Sequence, residues 1–189
     1  MSPAEEKAEV RRWAKARLLA MPAREVLRRS RRILRRLYQL EHFRQARGVL
    51  VCVSFRNEPN TWPLLLSPGA KNLFVPRVVA AERRLAVHPF PTALSRSAFG
   101  ILEPRPGTPE LSPEEIDREV DLAVVVGAAF SRSTRHRVGW GKAYFDRFLA
   151  AHSGIAAVGL AYDWQVRPAL PHEAHDVALD VVVCESQVL

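Results

Sequence analysis

The spacing of apolar residues divides the chain into a helical first part and a longer part in which strands and helices alternate. Residues 4–19 and 23–41 have apolar positions at helical spacing, with Pro22 between them, and predict two helices. From Gly48 onward, short apolar runs typical of buried strands replace that pattern.

These apolar runs predict a series of strands separated by helices and turns. The predicted strands cover residues 48–55, 72–75, 84–90, 121–126, 156–162 and 177–183. Asn60 or Thr61 can cap a short predicted helix, and residues 140–152 predict a longer one. Residues 100–113 are rich in proline and glycine and predict a connecting loop.

Alternating strands and helices favour an α/β fold with a mainly parallel sheet. We expect helices on both faces of that sheet, in a Rossmann-like three-layer arrangement, with the N-terminal helical pair packed on the sheet. No segment has the length or composition of a linker, so residues 1–189 are expected to form a single domain.

The net charge of +8 is concentrated at the start of the chain. Residues 1–47 carry 14 basic and 5 acidic side chains, whereas residues 48–189 carry 14 and 15. Such a segment is compatible with nucleic-acid binding or with a site for a polyanionic small molecule. Because the basic residues surround both helices and no nucleic-acid-binding motif is present, we expect mostly solvated helix faces and no nucleic-acid partner.

Apolar run lengths and cysteine usage indicate the compartment. No run approaches the ~20 residues that a membrane-spanning helix needs, and the acidic, polar start differs from a secretory signal. Cys52 and Cys184 lie in or at the end of Val-rich runs and predict buried thiols rather than a disulfide or a metal site. We therefore expect a cytoplasmic monomer that acts on small molecules.

A glycine-containing segment lies between the strand predicted over 121–126 and the last predicted helix. Residues 137–146 read Arg-Val-Gly-Trp-Gly-Lys-Ala-Tyr-Phe-Asp. Gly139 and Gly141 let backbone N–H groups approach phosphate oxygens, and a helix start adds donors and a positive dipole end. The spacing matches neither a Walker loop nor a dinucleotide fingerprint, so a plain strand-to-helix turn is the alternative.

Charged side chains in and around this segment suit a nucleotide. Arg137 and Lys142 supply positive charge for phosphates, and Asp146 is an oxygen ligand of the kind that Mg²⁺ prefers. Glu58 and Arg77 follow the ends of two other predicted strands. Because open α/β sheets bind ligands beyond the carboxyl ends of their strands, we expect these polar segments to converge on one crevice.

Several motifs, in order along nearly the whole chain, resemble those of the 5-formyltetrahydrofolate cyclo-ligase family, also called 5,10-methenyltetrahydrofolate synthetase. The family motif that ends in Gly-x-Gly-x-Gly-Tyr-Tyr-Asp-Arg is similar to the stretch from Val126 to Arg147. The other similar stretches are Lys7 to Arg11, Phe55 to Thr61, Pro76-Arg77, Gly100 to Pro104, Gln165, Leu170-Pro171 and His175-Asp176.

The resemblance implies an enzyme that couples phosphoryl transfer to ring closure. In the implied reaction, ATP phosphorylates the formyl oxygen of 5-formyltetrahydrofolate and N10 attacks the activated carbon. Loss of phosphate leaves the 5,10-methenyl bridge, with ADP as the other product, and Mg²⁺ assists the transfer. Such chemistry needs positioning and charge neutralisation more than a protein nucleophile.

The resemblance also implies roles for particular residues. The implied ATP-binding residues are Lys7, Arg11, Arg137, Gly139, Trp140, Gly141, Lys142, Ala143 and Tyr144. The implied catalytic residues are Arg137, Lys142 and Asp146, and the implied folate-binding residues are Glu58, Arg77, Trp140 and Tyr144. The implied magnesium ligands are Asp146 and Asp176.

Simpler roles remain open for some of these side chains. Lys7 and Arg11 share one helix face, which also fits a solvated helix end. Arg77 also fits a structural ion pair. Thr61 is expected to act mainly as a helix cap, and His136 is expected to have no special role.

The chain departs from the family pattern in the loop and at the glycine run. Ser131 stands where the family has Asp, the loop over 130–137 is one residue longer, and Phe145 replaces the second Tyr. Ala143 replaces the last glycine, which is harmless inside a helix but unfavourable where φ must be positive. A catalytically weakened or repurposed relative is therefore the alternative function.

Overall fold

The computed structural model describes residues 2–98 and 100–189. The helices are α1 (Pro3–Ala20), α2 (Ala23–Gln39), α3 (Glu41–Gln45), α4 (Trp62–Leu66), α5 (Pro113–Glu119) and α6 (Tyr144–Ala151). The strands are β1 (Gly48–Val51), β2 (Asn72–Val79), β3 (Arg84–Phe90), β4 (Leu94–Arg96), β5 (Leu102–Pro104), β6 (Leu122–Val125), β7 (Ala129–Ser131), β8 (Arg137–Val138), β9 (Ala156–Leu160), β10 (Val166–Arg167) and β11 (Val181–Val183).

A six-stranded sheet in the order β11-β9-β6-β1-β2-β3 forms the centre of the fold. The first five strands in this order are parallel, and β3 pairs antiparallel with β2 at one edge. The predicted α/β fold with a mainly parallel sheet is therefore confirmed.

Strand β2 runs four residues further than the predicted strand over 72–75 and passes through Pro76. Strand β1 pairs only with residues 72–74, so Pro76 lies beyond that ladder and removes no hydrogen bond to β1. The remaining length of β2 pairs with β3 alone.

Alternate residues of the parallel strands face opposite sides of the sheet, and each side packs against different helices. One side buries Val49, Val51, Val124 and Val158 against Ile33 and Leu37 of α2. The other side buries Leu50, Ala123 and Val125 against Ile116 of α5 and Phe148 and Leu149 of α6. This alternation produces the three layers that the sequence pattern predicted.

The two N-terminal helices pack in different places. The apolar side of α2 lies on the main sheet. Ala14 of α1 instead packs against Ala129 and Val138, which belong to a second, small sheet of order β10-β7-β8. The small sheet was not predicted, because strands of two or three residues are too short to show a periodic pattern. The β4–β5 hairpin, part of which lies in the predicted loop over 100–113, was missed for the same reason.

The two cysteines agree with the sequence pattern. Cys52 and Cys184 are buried free thiols. Within the described residues, no helix combines the length and the apolar character needed to cross a lipid bilayer.

Gly159 of β9 packs closely against two buried side chains, Phe130 of β7 and Leu179 before β11. We expect Gly159→Ala to lower the free energy of unfolding by about 1–3 kcal/mol. The reason is that an added Cβ would lie 2.7 Å from both Leu179 Cδ1 and Phe130 Cε1, which are buried. Urea denaturation followed by circular dichroism measures the change. Gly154→Ala is the control, since nothing lies within 4 Å of its added Cβ, and equal losses in both variants would contradict the prediction.

Candidate active site

The loops at the carboxyl ends of β6 and β9 are joined by the buried side chain of Gln165. Its Nε2 donates to the carbonyl oxygens of Gly127 and Ala128 at 2.7 and 3.1 Å, and its Oε1 accepts from the backbone N–H of Tyr162 at 2.9 Å. Because both ends of the amide are used, the loop after β9 fixes the chain that leads into β7.

Residues 139–143, here called the glycine loop, connect β8 to α6. Arg11 of α1 donates from Nε to the carbonyl oxygen of Gly139 at 2.8 Å. A Cβ at position 139 would lie 2.7 Å from Arg137 Nη1, so the guanidinium of Arg137 occupies the space that a side chain there would take. The first helix and the strand before the loop therefore both determine its path.

The end of the glycine loop has a left-handed backbone. Gly141, Lys142 and Ala143 have φ values of 120°, 62° and 47°. The helix begins only at Tyr144, so the predicted helix start at residue 140 was wrong. Ala143 is the residue before the first helical turn. Because its φ is positive, alanine is less favourable than glycine at this position.

Arg137 and Asp146 form a buried ion pair below the glycine loop. Arg137 Nη2 lies 3.3 Å from Asp146 Oδ2, and the guanidinium lies 5.6 Å from the centre of the Phe145 ring. Asp146 Oδ1 also accepts from the backbone N–H of Val177 at 3.3 Å. Arg137 Nε is buried and has no hydrogen-bond partner within the described part of the chain.

Lys7 and Asp176, which the sequence assigned to phosphate and to metal, contact each other. Lys7 Nζ lies 2.5 Å from Asp176 Oδ2 and 2.7 Å from Glu173 Oε2. Burial disfavours the charged form of Lys7, but hydrogen bonds to these two carboxylates outweigh it and raise the pKa of Lys7. Burial likewise opposes ionisation of Asp176, yet the hydrogen bond from Lys7 leaves its pKa lowered. The pair is therefore charged, and Lys7 is not on a solvated helix end.

Glu58 lies in the loop after β1 and is 5% exposed. Its Oε2 accepts from the backbone N–H of Phe55 at 2.7 Å, and its Oε1 accepts from Trp140 Nε1 at 2.6 Å. Burial raises the pKa of Glu58 to about 7, although both hydrogen bonds lower it. A carboxyl that changes charge near neutral pH is suited to proton transfer.

Two other residues of the predicted folate site make different contacts. Arg77 is on β2, where its charge acts on Glu103 and His88, and its Nε is buried without a hydrogen-bond partner in the described residues. Tyr144 opens α6 and packs its ring 5.2 Å from the guanidinium of Arg147. The structure therefore brings Glu58 and Trp140 together, but it shows no contact that joins Arg77 to them among the described residues.

Thr61 is the N-cap residue of α4, as expected, but its side chain makes no cap hydrogen bond. Its Oγ1 donates to the carbonyl oxygen of Cys52 at 2.7 Å and accepts from the backbone N–H of Ser54 at 2.9 Å. Asn60 Oδ1 accepts from the backbone N–H of Trp62 at 3.0 Å and takes the capping role instead. Thr61 thus closes the loop that carries Glu58.

Sequence reasoning missed several residues that shape the site. Glu173 contacts Lys7, and Asn57 Nδ2 donates to the carbonyl oxygens of Leu18 and Met21 at 2.8 and 3.0 Å. The ring of His136, for which no role was expected, stacks on His172 with centroids 4.3 Å apart. Partners so far apart along the chain leave no local pattern that would have identified them.

Two cavities in the described part of the chain lie at the opposite end of the sheet. One of about 420 Å³ is next to Lys71, and one of about 510 Å³ is next to Asp121. Neither is lined by a residue of the predicted site. The candidate site is instead a cluster of buried charges around the glycine loop, from which Trp140 binds Glu58.

Comparisons with known proteins identify similar sequences and folds. A sequence profile of the 5-formyltetrahydrofolate cyclo-ligase family matches residues 3–185. A protein of Caenorhabditis elegans named probable 5-formyltetrahydrofolate cyclo-ligase is 28% identical over 98% of this chain and 95% of its own length. The mouse 5-formyltetrahydrofolate cyclo-ligase is 24% identical over 90% of this chain and 89% of its own.

Solved structures show the same arrangement of elements. The NMR structure of Aquifex aeolicus 5,10-methenyltetrahydrofolate synthetase superposes with a TM-score of 0.79 and 31% identity, covering 96% of this chain and 91% of its own. The synthetase from Mycoplasma pneumoniae gives a TM-score of 0.73 at 17% identity, covering 95% and 99%. At that identity the second match supports the fold alone.

The left-handed backbone at Ala143 leads to a stability prediction. We expect Ala143→Gly to raise the free energy of unfolding by about 1 kcal/mol, because glycine adopts positive φ without a Cβ clash. Thermal unfolding followed by circular dichroism measures the change. The control is Ala16→Gly on the exposed face of α1, which should lower stability by about 1 kcal/mol. A loss of stability in both variants would mean that position 143 does not favour glycine.

Proposed function

Because the chain belongs to the 5-formyltetrahydrofolate cyclo-ligase family, its activity is that of a 5-formyltetrahydrofolate cyclo-ligase, and we propose that it uses ATP and Mg²⁺ at the glycine loop. The observation that supports this site is a set of contacts around the glycine loop. Arg11 of α1 binds the loop, Arg137 and Asp146 on either side of it form a buried ion pair, and Lys7 of α1 pairs with Asp176. Cations for phosphates and carboxylates for a metal are thus next to each other at one edge of the sheet.

The reaction transfers a phosphoryl group and then closes a ring. The formyl oxygen of 5-formyltetrahydrofolate attacks the γ-phosphate of ATP, and ADP leaves. N10 then attacks the activated formyl carbon, loses its proton, and phosphate leaves as the 5,10-methenyl bridge forms. The enzyme must therefore align the two substrates and balance charge on the transferred phosphoryl group.

The glycine loop and the residues around it supply the phosphate site in this proposal. The backbone amides of Gly139, Gly141 and the helix start offer donors without side-chain interference. The buried Nε of Arg137, which lacks a partner in the described residues, gives a further donor for a phosphate oxygen. Lys142 adds positive charge, and Arg11 fixes the loop through the carbonyl oxygen of Gly139.

Two carboxylates fit a magnesium site that is completed by phosphates. Asp146 accepts from the backbone of Val177, the residue after Asp176, so the two carboxylates occupy neighbouring positions. The described residues contain no group of three or more side chains placed to hold a metal. One or two carboxylates together with substrate phosphates form the usual Mg²⁺ site, so this donor set fits. When bound, Mg²⁺ would supply positive charge that neutralises the phosphate oxygens.

Glu58 provides the folate-side chemistry in this proposal. Its ionised carboxylate stabilises positive charge on the activated formyl centre and accepts the proton that N10 loses. Trp140 and Tyr144 offer aromatic surfaces for the pterin ring or the adenine base. Arg77, whose buried Nε has no hydrogen-bond partner in the described residues, offers a donor to a folate carboxylate.

A turnover assay tests this function directly. Purified protein with ATP, Mg²⁺ and 5-formyltetrahydrofolate should develop the absorbance of the methenyl product and release ADP. We expect Lys142→Met to lower kcat/KM by roughly 10²-fold, because it removes a charge at the phosphoryl group. Lys15→Met, on the exposed face of α1, is the control and should retain turnover. ATP binding without product would instead favour a non-catalytic relative.

The pH dependence of turnover tests the role of Glu58. Since the base must be ionised and its pKa is about 7, kcat/KM should rise with pH below that value and level off above it. We expect Glu58→Gln to lower kcat/KM by about 10²–10⁴-fold and to remove the rise near neutral pH. A variant with the same pH profile as the unmodified enzyme would show that another group controls the reaction.

A further inference from the structure

The indole of Trp140 connects the glycine loop to the buried carboxyl of Glu58. Trp140 Nε1 donates to Glu58 Oε1 at 2.6 Å, although the two residues are 82 positions apart in the sequence. Trp140 is 44% exposed and Glu58 is 5% exposed. A surface side chain that belongs to the nucleotide side of the site therefore covers and binds a carboxyl on the folate side.

The backbone of Trp140 is fixed by contacts that do not involve Glu58. Arg11 of α1 binds the carbonyl oxygen of Gly139 at 2.8 Å, immediately before Trp140. On the other side, the left-handed residues Gly141 to Ala143 lead into α6. A nucleotide that moved the glycine loop would therefore also move the indole and alter its contact with Glu58.

The Glu58 carboxyl has neutral donors at both of its oxygens. Oε2 accepts from the backbone N–H of Phe55 at 2.7 Å, which leaves the Trp140 contact to orient Oε1. A donor to an ionised carboxylate stabilises the charged form, and this effect is strong in a buried site. Loss of the indole N–H would favour the protonated carboxyl and free it to rotate.

On the basis of the proposed function, we infer that Trp140 is a positioning residue whose indole N–H orients the Glu58 carboxyl, favours its charged form, and thereby links the nucleotide loop to proton transfer on the folate. The inference goes beyond a stacking role for Trp140, because a stacking ring would work equally well without its N–H group.

Two titratable neighbours of Glu58 are uncharged near neutral pH. They are Cys52, which follows β1, and Tyr162, on which Glu185 and Arg29 also act. Burial raises the pKa of each to about 12, so both are neutral around pH 7. Arg137 acts on Cys52 from β8 but makes its own ion pair with Asp146. Burial is the largest influence on the charge of Glu58, and the indole donor acts with the Phe55 N–H to favour the ionised form against it.

The pH profile of Trp140→Phe tests this positioning role. The variant keeps a smaller aromatic ring and loses the N–H donor, so we expect the midpoint of the kcat/KM profile to move to higher pH by about one unit. Activity at low pH should fall by about tenfold and approach that of the unmodified enzyme at high pH. Trp13→Phe is the matched control, because Trp13 packs edge-on against Trp164 with ring centres 5.4 Å apart and makes its cation contacts to Arg17 and Arg167. Its midpoint should not move, and an equal loss of activity at all pH values in Trp140→Phe would overturn the inference.

A spectroscopic measurement tests the same contact without turnover. In protein labelled with ¹⁵N-tryptophan, the indole N–H resonance that disappears in Trp140→Phe should titrate with a midpoint near the Glu58 pKa of about 7. The titration should be absent in Glu58→Gln. A resonance that does not respond to pH would overturn the inference even if turnover is normal. Absence of methenyl product with a titrating indole would count against the proposed function and leave the contact itself supported.

Discussion

Two buried ion pairs at the carboxyl edge of the sheet, Lys7 with Asp176 and Arg137 with Asp146, are the interactions around which the rest of the site is arranged. A buried charge is tolerated only with a partner of opposite charge, so each pair fixes the elements that carry its members. Lys7 ties α1 to the segment before β11, and Arg137 ties β8 to α6. Both cations therefore stay beside the carboxylates that are suited to a divalent metal.

The glycine loop depends on this arrangement for its conformation. Positive φ at Lys142 and Ala143 is unfavourable for residues with a Cβ and persists because the surrounding contacts determine the backbone. Arg11 binds the loop at Gly139, and the Arg137 guanidinium fills the space beside it. The family's glycine at position 143 would meet the same requirement without strain.

The fold and part of the candidate site could be predicted from the sequence. Apolar runs identified the buried strands, and the glycine spacing identified the loop with Arg137 and Asp146 close to it. Element ends were less well predicted. For example, the left-handed turn over 141–143 was counted as part of the last helix. The sequence also left open whether Lys7 lies on a solvated helix end. In the structure it contacts two carboxylates, Glu173 and Asp176, which no local sequence pattern connects to it.

The order of the motifs along the chain determined the resemblance to one enzyme family. The burial pattern by itself determined the alternation of strands and helices and the parallel sheet. These properties depend on which residues can be removed from water, and that information is local. Only the tertiary structure decided that Lys7 meets Asp176 across 169 positions and that Trp140 binds Glu58 across 82. It also decided that Ala143 is left-handed. Such contacts depend on how the sheet, α1 and the loops come together in space, and no pattern within a single segment specifies them.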